Sequence, residues 1–184
     1  MVGEEGYKAL ERGDLISAFN EFSLAESSAV NNLEKSRMMI NKGALLIAMG
    51  KYSLALDELI RAKALLKSTN DQQMLAVACL DIAKALIAIG RAENAESELR
   101  CAQGIAGHDD PHVVYVKALI YFYRGRKDEL ENINEKALQE PYGRLIRVLK
   151  LRMKADNGDS VKDYEEALKE AVPLTALREA LGLL

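Results

Sequence analysis

The sequence predicts an all-α protein, and three observations carry that prediction. Ala, Leu, Glu and Lys dominate the 184 residues and prolines number three, the composition of long helices. No stretch alternates apolar and polar residues with the period of two that a half-buried strand needs. Glycines recur along the chain, with Gly13, Gly50, Gly90, Gly125 and Gly158 separated by 37, 40, 35 and 33 residues.

Each of those glycines is read as the turn inside a helical hairpin, because glycine adopts the left-handed C-terminal conformation that a Cβ resists. The first pair of helices is expected over 2–12 and 14–28. Gly6 lies seven residues before its turn, and Ala18, Phe22 and Ala25 follow at +5, +9 and +12. The second pair, 33–49 and 52–67, repeats the pattern with Gly43, then Ala55, Leu59 and Ala62. The third, 71–89 and 92–105, has Ala83, then Ala95, Leu99 and Ala102. A fourth pair is expected over 111–124 and 127–139, with Ala118, then Leu130, Asn134 and Ala137. The fifth, 142–156 and 159–171, keeps its glycine but has Leu151, Asp163, Ala167 and Glu170 at the ruled positions. Small residues at −7, +5 and +12 let antiparallel helices approach, and the larger +9 residue fills the space between them.

Pro111, Pro141 and Pro173 fall where helices must begin, the one place in a helix that tolerates proline, and Asp110 is placed to cap the helix after it. The two histidines and two carboxylates of HDDPH, 108–112, then read as capping and exposed loop residues, not as metal ligands. A last helix over 174–182 carries Leu174, Leu177, Leu181 and Leu184 on one stripe. That stripe suits a cap on the last hairpin or a homodimer contact.

Gly43, Gly50, Tyr52, Ala55, Leu59 and Ala62 resemble the tetratricopeptide repeat (TPR), and Gly6, Gly13, Ala18, Phe22 and Ala25 match it again. The resemblance covers about residues 2–172. It implies one domain, 1–184, wound as a right-handed α-α superhelical solenoid of about five TPR-like helix pairs. Their approximate limits are 2–30, 33–68, 71–106, 111–140 and 142–172, followed by a C-terminal capping helix, 174–184. In that family the first helix of each pair lines a concave groove for partner peptides or helices. The resemblance places Arg37, Asn41, Ala44, Val77, Asp81, Lys84, His112, Tyr115, Leu119 and Phe122 there, with Tyr123 adjacent.

Asn41 stands where carboxylate-clamp members of the family hold the EEVD tail of heat-shock chaperones. The clamp also needs Lys and Asn in the preceding copy and two basic residues in the following one. This chain has Gly3 and Tyr7, then Val77 and Asp81, and an aspartate would repel the bound carboxylate. The chaperone tail is therefore not the expected partner, and Asn41 is expected to make a local hydrogen bond from the groove or to join a different polar contact. Tyr115, Phe122 and Tyr123 form the densest aromatic patch, either core filler or anchors for an apolar peptide.

The remaining features exclude more than they assign. A net charge of −3 does not suit a dedicated nucleic-acid binder. No apolar run approaches the roughly 20 residues that span a bilayer. The polar start MVGEEGYKALERGD resembles neither a secretory signal nor a transit peptide. Cys79 and Cys101 read as buried reduced thiols of a cytoplasmic protein. Arg147, Lys150 and Lys154 share one helix face, either solvated or turned to an acidic partner surface or to RNA. No nucleophile–base pattern, phosphate loop, metal set or cofactor motif is evident, so no catalysis is expected. An adaptor or scaffold with a protein or peptide partner is the expectation. The alternatives are a self-associating module and an accessory subunit of an RNA- or transcription-related complex.

Overall fold

The computed structural model describes residues 3–156 and 161–171. Among them there are helices and no strand. In chain order these are α1 (Glu4–Glu11), α2 (Leu15–Ser27), α3 (Asn32–Ala48), α4 (Tyr52–Leu66), α5 (Gln72–Ala88), α6 (Ala92–Ala106), α7 (Pro111–Tyr123), α8 (Lys127–Glu131), α9 (Tyr142–Ala155) and α10 (Val161–Ala171). A single 3₁₀ turn, Glu135–Ala137, lies between α8 and α9. None of the described helices is long and apolar enough to cross a membrane.

One turn recurs at four of the five glycines. Gly13, Gly50, Gly90 and Gly125 have φ of 73°, 70°, 78° and 66°. Each donates its N–H to the carbonyl three residues back: Leu10, Ile47, Ile87 and Phe122. The following N–H groups, of Asp14, Lys51, Arg91 and Arg126, reach the carbonyls of Ala9, Leu46, Leu86 and Tyr121. These paired bonds satisfy carbonyls that a helix end would otherwise leave open. Gly158 lies outside the described residues.

Other helix starts are fixed by side chains. Asp14, Asn31 and Asp71 accept the N–H of Ser17, Glu34 and Met74, each at the first turn. Asp110 accepts from both His112 and Val113 at 3.0 Å, with Pro111 opening α7 behind it. HDDPH thus works as a helix start, through Asp110 and Pro111.

Packing follows the −7/+9 rule where the first two hairpins close. A Cβ on Gly6 would fall 2.5 Å from Phe22 Cε1, and one on Gly43 would fall 2.5 Å from Leu59 Cγ. Phe22 and Leu59 are fully buried, as are Ala18, Ala55, Ala62, Ala95 and Ala102. Successive helices pack on one another, and the first helices of neighbouring hairpins also touch: α3 on α5, α5 on α7, α7 on α9. One continuous apolar core runs from α3 to α10, and a smaller one around Phe22 and Met38 seats the first hairpin. Lys42 ties α3 to both neighbours through Glu26 at 2.7 Å and Glu58 at 2.8 Å.

The fourth hairpin departs from the expected helix over 127–139. Helix α8 stops at Glu131, and Asn134 and Ala137, the expected +9 and +12 packing positions, are exposed. The cause is Lys150, whose side chain is buried beneath this segment. Its ammonium donates to the carbonyls of Glu131 (3.0 Å) and Ile133 (2.6 Å) and to the Glu135 carboxylate (2.7 Å). A cation is favourable at the C-terminal end of a helix, and here it accounts for three acceptors at once. The chain then crosses so close over the first turn of α9 that any Cβ at residue 143 would meet the Glu135 carbonyl, and Gly143 stands there.

Two further differences concern chemistry. Cys79 of α5 and Cys101 of α6 are disulfide-bonded, with Cα atoms 6.3 Å apart, and are not the two free thiols expected. The basic face of α9 is not uniformly solvated. Lys150 is 7% exposed, Lys154 pairs with Glu131 at 3.3 Å, and Arg147 stays open to solvent with Glu170 3.9 Å away. Leu174, Leu177, Leu181 and Leu184, with the capping helix expected around them, lie outside the described residues, as does Pro173.

Candidate partner-binding groove

The ten positions expected to line a groove fall into three groups. Arg37 and Ala44 are exposed on α3, with Arg37 loosely paired to Asp71 at 3.9 Å. Asn41 is half-buried between them and donates its Nδ2 hydrogen to the Tyr7 hydroxyl at 2.8 Å. This hydrogen bond joins two hairpins, its partners 34 residues apart in sequence. Val77, Lys84, His112 and Phe122 are also half-buried, on α5 and α7.

Asp81, Tyr115 and Leu119 are instead turned into the packing, 4%, 2% and 3% exposed. Asp81 is the informative case. Its carboxylate meets the Lys84 ammonium at 2.6 Å, one turn along the same helix. Burying either charge alone would be costly, so the two go in together. Tyr115 packs as core against Tyr142, ring centroids 5.8 Å apart, and its hydroxyl finds no hydrogen-bond partner among the described residues. Burial holds its phenol well above the ordinary range.

Where α5, α6 and α7 meet, Val77 and His112 line a cavity of about 420 Å³ together with Gln73, Ile105 and Asp110. His112 reaches it because Asp110 fixes the first turn of α7. Its ring is stacked on Tyr142 at 5.6 Å. Burial, reinforced by the Lys84 charge and only partly opposed by Asp81 and Asp110, pushes the His112 pKa down to about 4. The imidazole is therefore neutral near pH 7, offering one donor and one acceptor. The cavity thus joins an apolar wall from Val77 and Ile105 to polar atoms from Gln73, His112 and Asp110.

At the other end of α7, Tyr123 stands edge-on to Phe122 at 5.3 Å and is 46% exposed. Arg152 of α9 lies over the Phe122 ring at 5.6 Å. The aromatic patch of the sequence is thus divided, with Tyr115 in the core and Phe122 and Tyr123 at the surface.

Tyr142, Gln73 and Ile105 were not among the expected residues. The expected positions lay on α3, α5 and α7 alone and began on α5 at Val77, so they omitted Gln73 in the first turn of α5, Tyr142 of α9 and the second helix of each hairpin, which supplies Ile105. Tyr142 directly after Pro141 is the one signal available, an aromatic at a predicted helix start.

No protein-family model matches this chain, and neither a curated protein nor a solved structure shows significant similarity to it.

Proposed function

We propose that this chain is a protein-interaction adaptor built of TPR-like hairpins, whose first-helix face binds a partner peptide or helix and which performs no catalysis itself. The observation that carries the reading is the cavity shared by Val77 and His112. Two positions assigned to the groove from different repeats line one space, with apolar and hydrogen-bonding walls together. A cavity of that size takes one large side chain, and the half-buried positions on α3 continue the surface. Because the helices are fixed by their own packing, binding orders little of this chain, and the interaction energy is not spent on folding it.

The test is affinity capture from the native cell, with three versions of the chain as bait. Gln73→Arg places a bulky charge at the cavity rim, on an exposed position. Leu54→Arg places the same charge on the second helix of a hairpin, at a residue 58% exposed. A partner captured by the wild type and by Leu54→Arg, and lost with Gln73→Arg, is the expected result. A partner lost only with Leu54→Arg would move the binding surface to the second helices.

A further inference from the structure

One cluster of chemically distinctive side chains lies away from this groove. Glu98 and Cys101 are three residues apart on α6, a spacing that puts both on one helix face. Cys79 approaches from α5. The two sulfurs and a Glu98 carboxylate oxygen all lie within 4.8 Å of one another. Cys79 is fully buried and Cys101 and Glu98 are partly so. Lys63 of α4 donates to Glu98 Oε2 at 2.6 Å.

We propose that, once the disulfide is reduced, Cys79, Cys101 and Glu98 form a site for one thiophilic divalent cation of the zinc type. Donor identity fits, since zinc takes thiolate and carboxylate ligands. Separation fits as well. Tetrahedral bonds of about 2.3 Å to sulfur set neighbouring ligand atoms roughly 3.8 Å apart, so small side-chain rotations suffice. Three protein donors leave the fourth position to water.

Charge supplies the independent support. Two thiolates, the Glu98 carboxylate and the Lys63 ammonium sum to −2, which one divalent cation cancels. With the disulfide closed, Glu98 and Lys63 cancel each other. Both states are neutral in a largely buried setting, where an unbalanced charge would be costly. Lys63 then acts as the outer partner that orients a ligating carboxylate.

The conversion balances. Two equivalents of a monothiol reductant reduce the Cys79–Cys101 bond to two thiols and leave as one external disulfide. The cation then displaces one proton from each thiol. The site would therefore load only when the pair is reduced.

The experiment uses the full chain, reduced with a phosphine under anaerobic conditions and titrated with cobalt(II) as the probe. Expected is a sulfur-to-cobalt charge-transfer band that saturates at one equivalent, is displaced by zinc, and is absent from the oxidised chain. Cys101→Ser should abolish the band, and Glu98→Gln should weaken cobalt binding at least about tenfold. Far-UV circular dichroism checks the fold of each variant. Glu98→Gln, at a partly exposed position, decides the matter if Cys101→Ser does not fold. No band from the reduced wild type, or unchanged affinity in Glu98→Gln, would overturn the assignment. Neither result bears on the groove, which shares no residue with this site.

Discussion

Replacing Gly43 by alanine sets two opposed effects against each other, and the structure decides between them. In an ordinary helix interior the change stabilises by about 1 kcal/mol, because glycine is the weaker helix former. Here the new methyl would stand 2.5 Å from Cγ and Cδ2 of Leu59 and 3.2 Å from Cδ1. Leu59 is fully buried, so its side chain has nowhere to swing. Overpacking of this kind costs about 1–3 kcal/mol. The expected net is a destabilisation of about 1 kcal/mol, which lowers the Tm of a chain this size by about 2–4 °C. Leu59→Ala alone should cost about 2–5 kcal/mol. In that background the methyl at 43 enters vacated space, and Gly43→Ala should turn stabilising by about 1 kcal/mol. Urea denaturation of the four proteins, followed by circular dichroism, reads the coupling of about 2 kcal/mol between the two sites. Equal stabilisation by Gly43→Ala in both backgrounds would refute the −7/+9 packing rule.

Three other perturbations are expected to have defined outcomes. Lys150→Met keeps the aliphatic stem but strands the carbonyls of Glu131 and Ile133 and the Glu135 carboxylate. Breaking such a buried charge contact should cost about 3–5 kcal/mol, with hydrogen exchange rising first over residues 131–138. His112 has a folded pKa of about 4 against roughly 6.5 unfolded. The unfolded chain therefore binds more protons between those values, and stability falls as pH drops from about 6.5 to 4. Thermal denaturation across that range should be flatter for His112→Gln than for wild type; parallel curves would contradict the burial of a neutral ring. Tyr115→Phe removes a buried hydroxyl that has no partner among the described residues. It should leave stability unchanged or raise it by up to about 1 kcal/mol, and a loss of 2 kcal/mol or more would show that the hydroxyl is satisfied.

The hairpins were legible in the sequence because their turns use a backbone conformation that glycine alone adopts freely. Gly13, Gly50, Gly90 and Gly125 each mark a turn with a positive φ and the same pair of hydrogen bonds. The small residues at −7 and +5 were legible for a similar reason, since only they permit the close approach of Gly43 to Leu59. What the pattern could not show was tertiary control of a weak helix. Segment 127–139 reads as helical until Lys150, from the following hairpin, takes its carbonyls, and no local periodicity reports a contact 17 to 19 residues away. The disulfide was missed likewise, because Cys79 and Cys101 are 22 residues apart on separate helices. For the positions expected in a groove, the resemblance named residues along a helix but not their depth. It named Val77 and His112, which line the cavity, together with Tyr115 and Leu119, which are buried in the packing.

The adaptor reading is tested most directly by amide hydrogen exchange of the chain alone and in complex with the partner captured from its native cell. Protection on binding is expected over residues 37–44, 73–84 and 112–123, on the first helices of three successive hairpins. Protection confined to α2, α4 and α6, with α3, α5 and α7 unchanged, would contradict it.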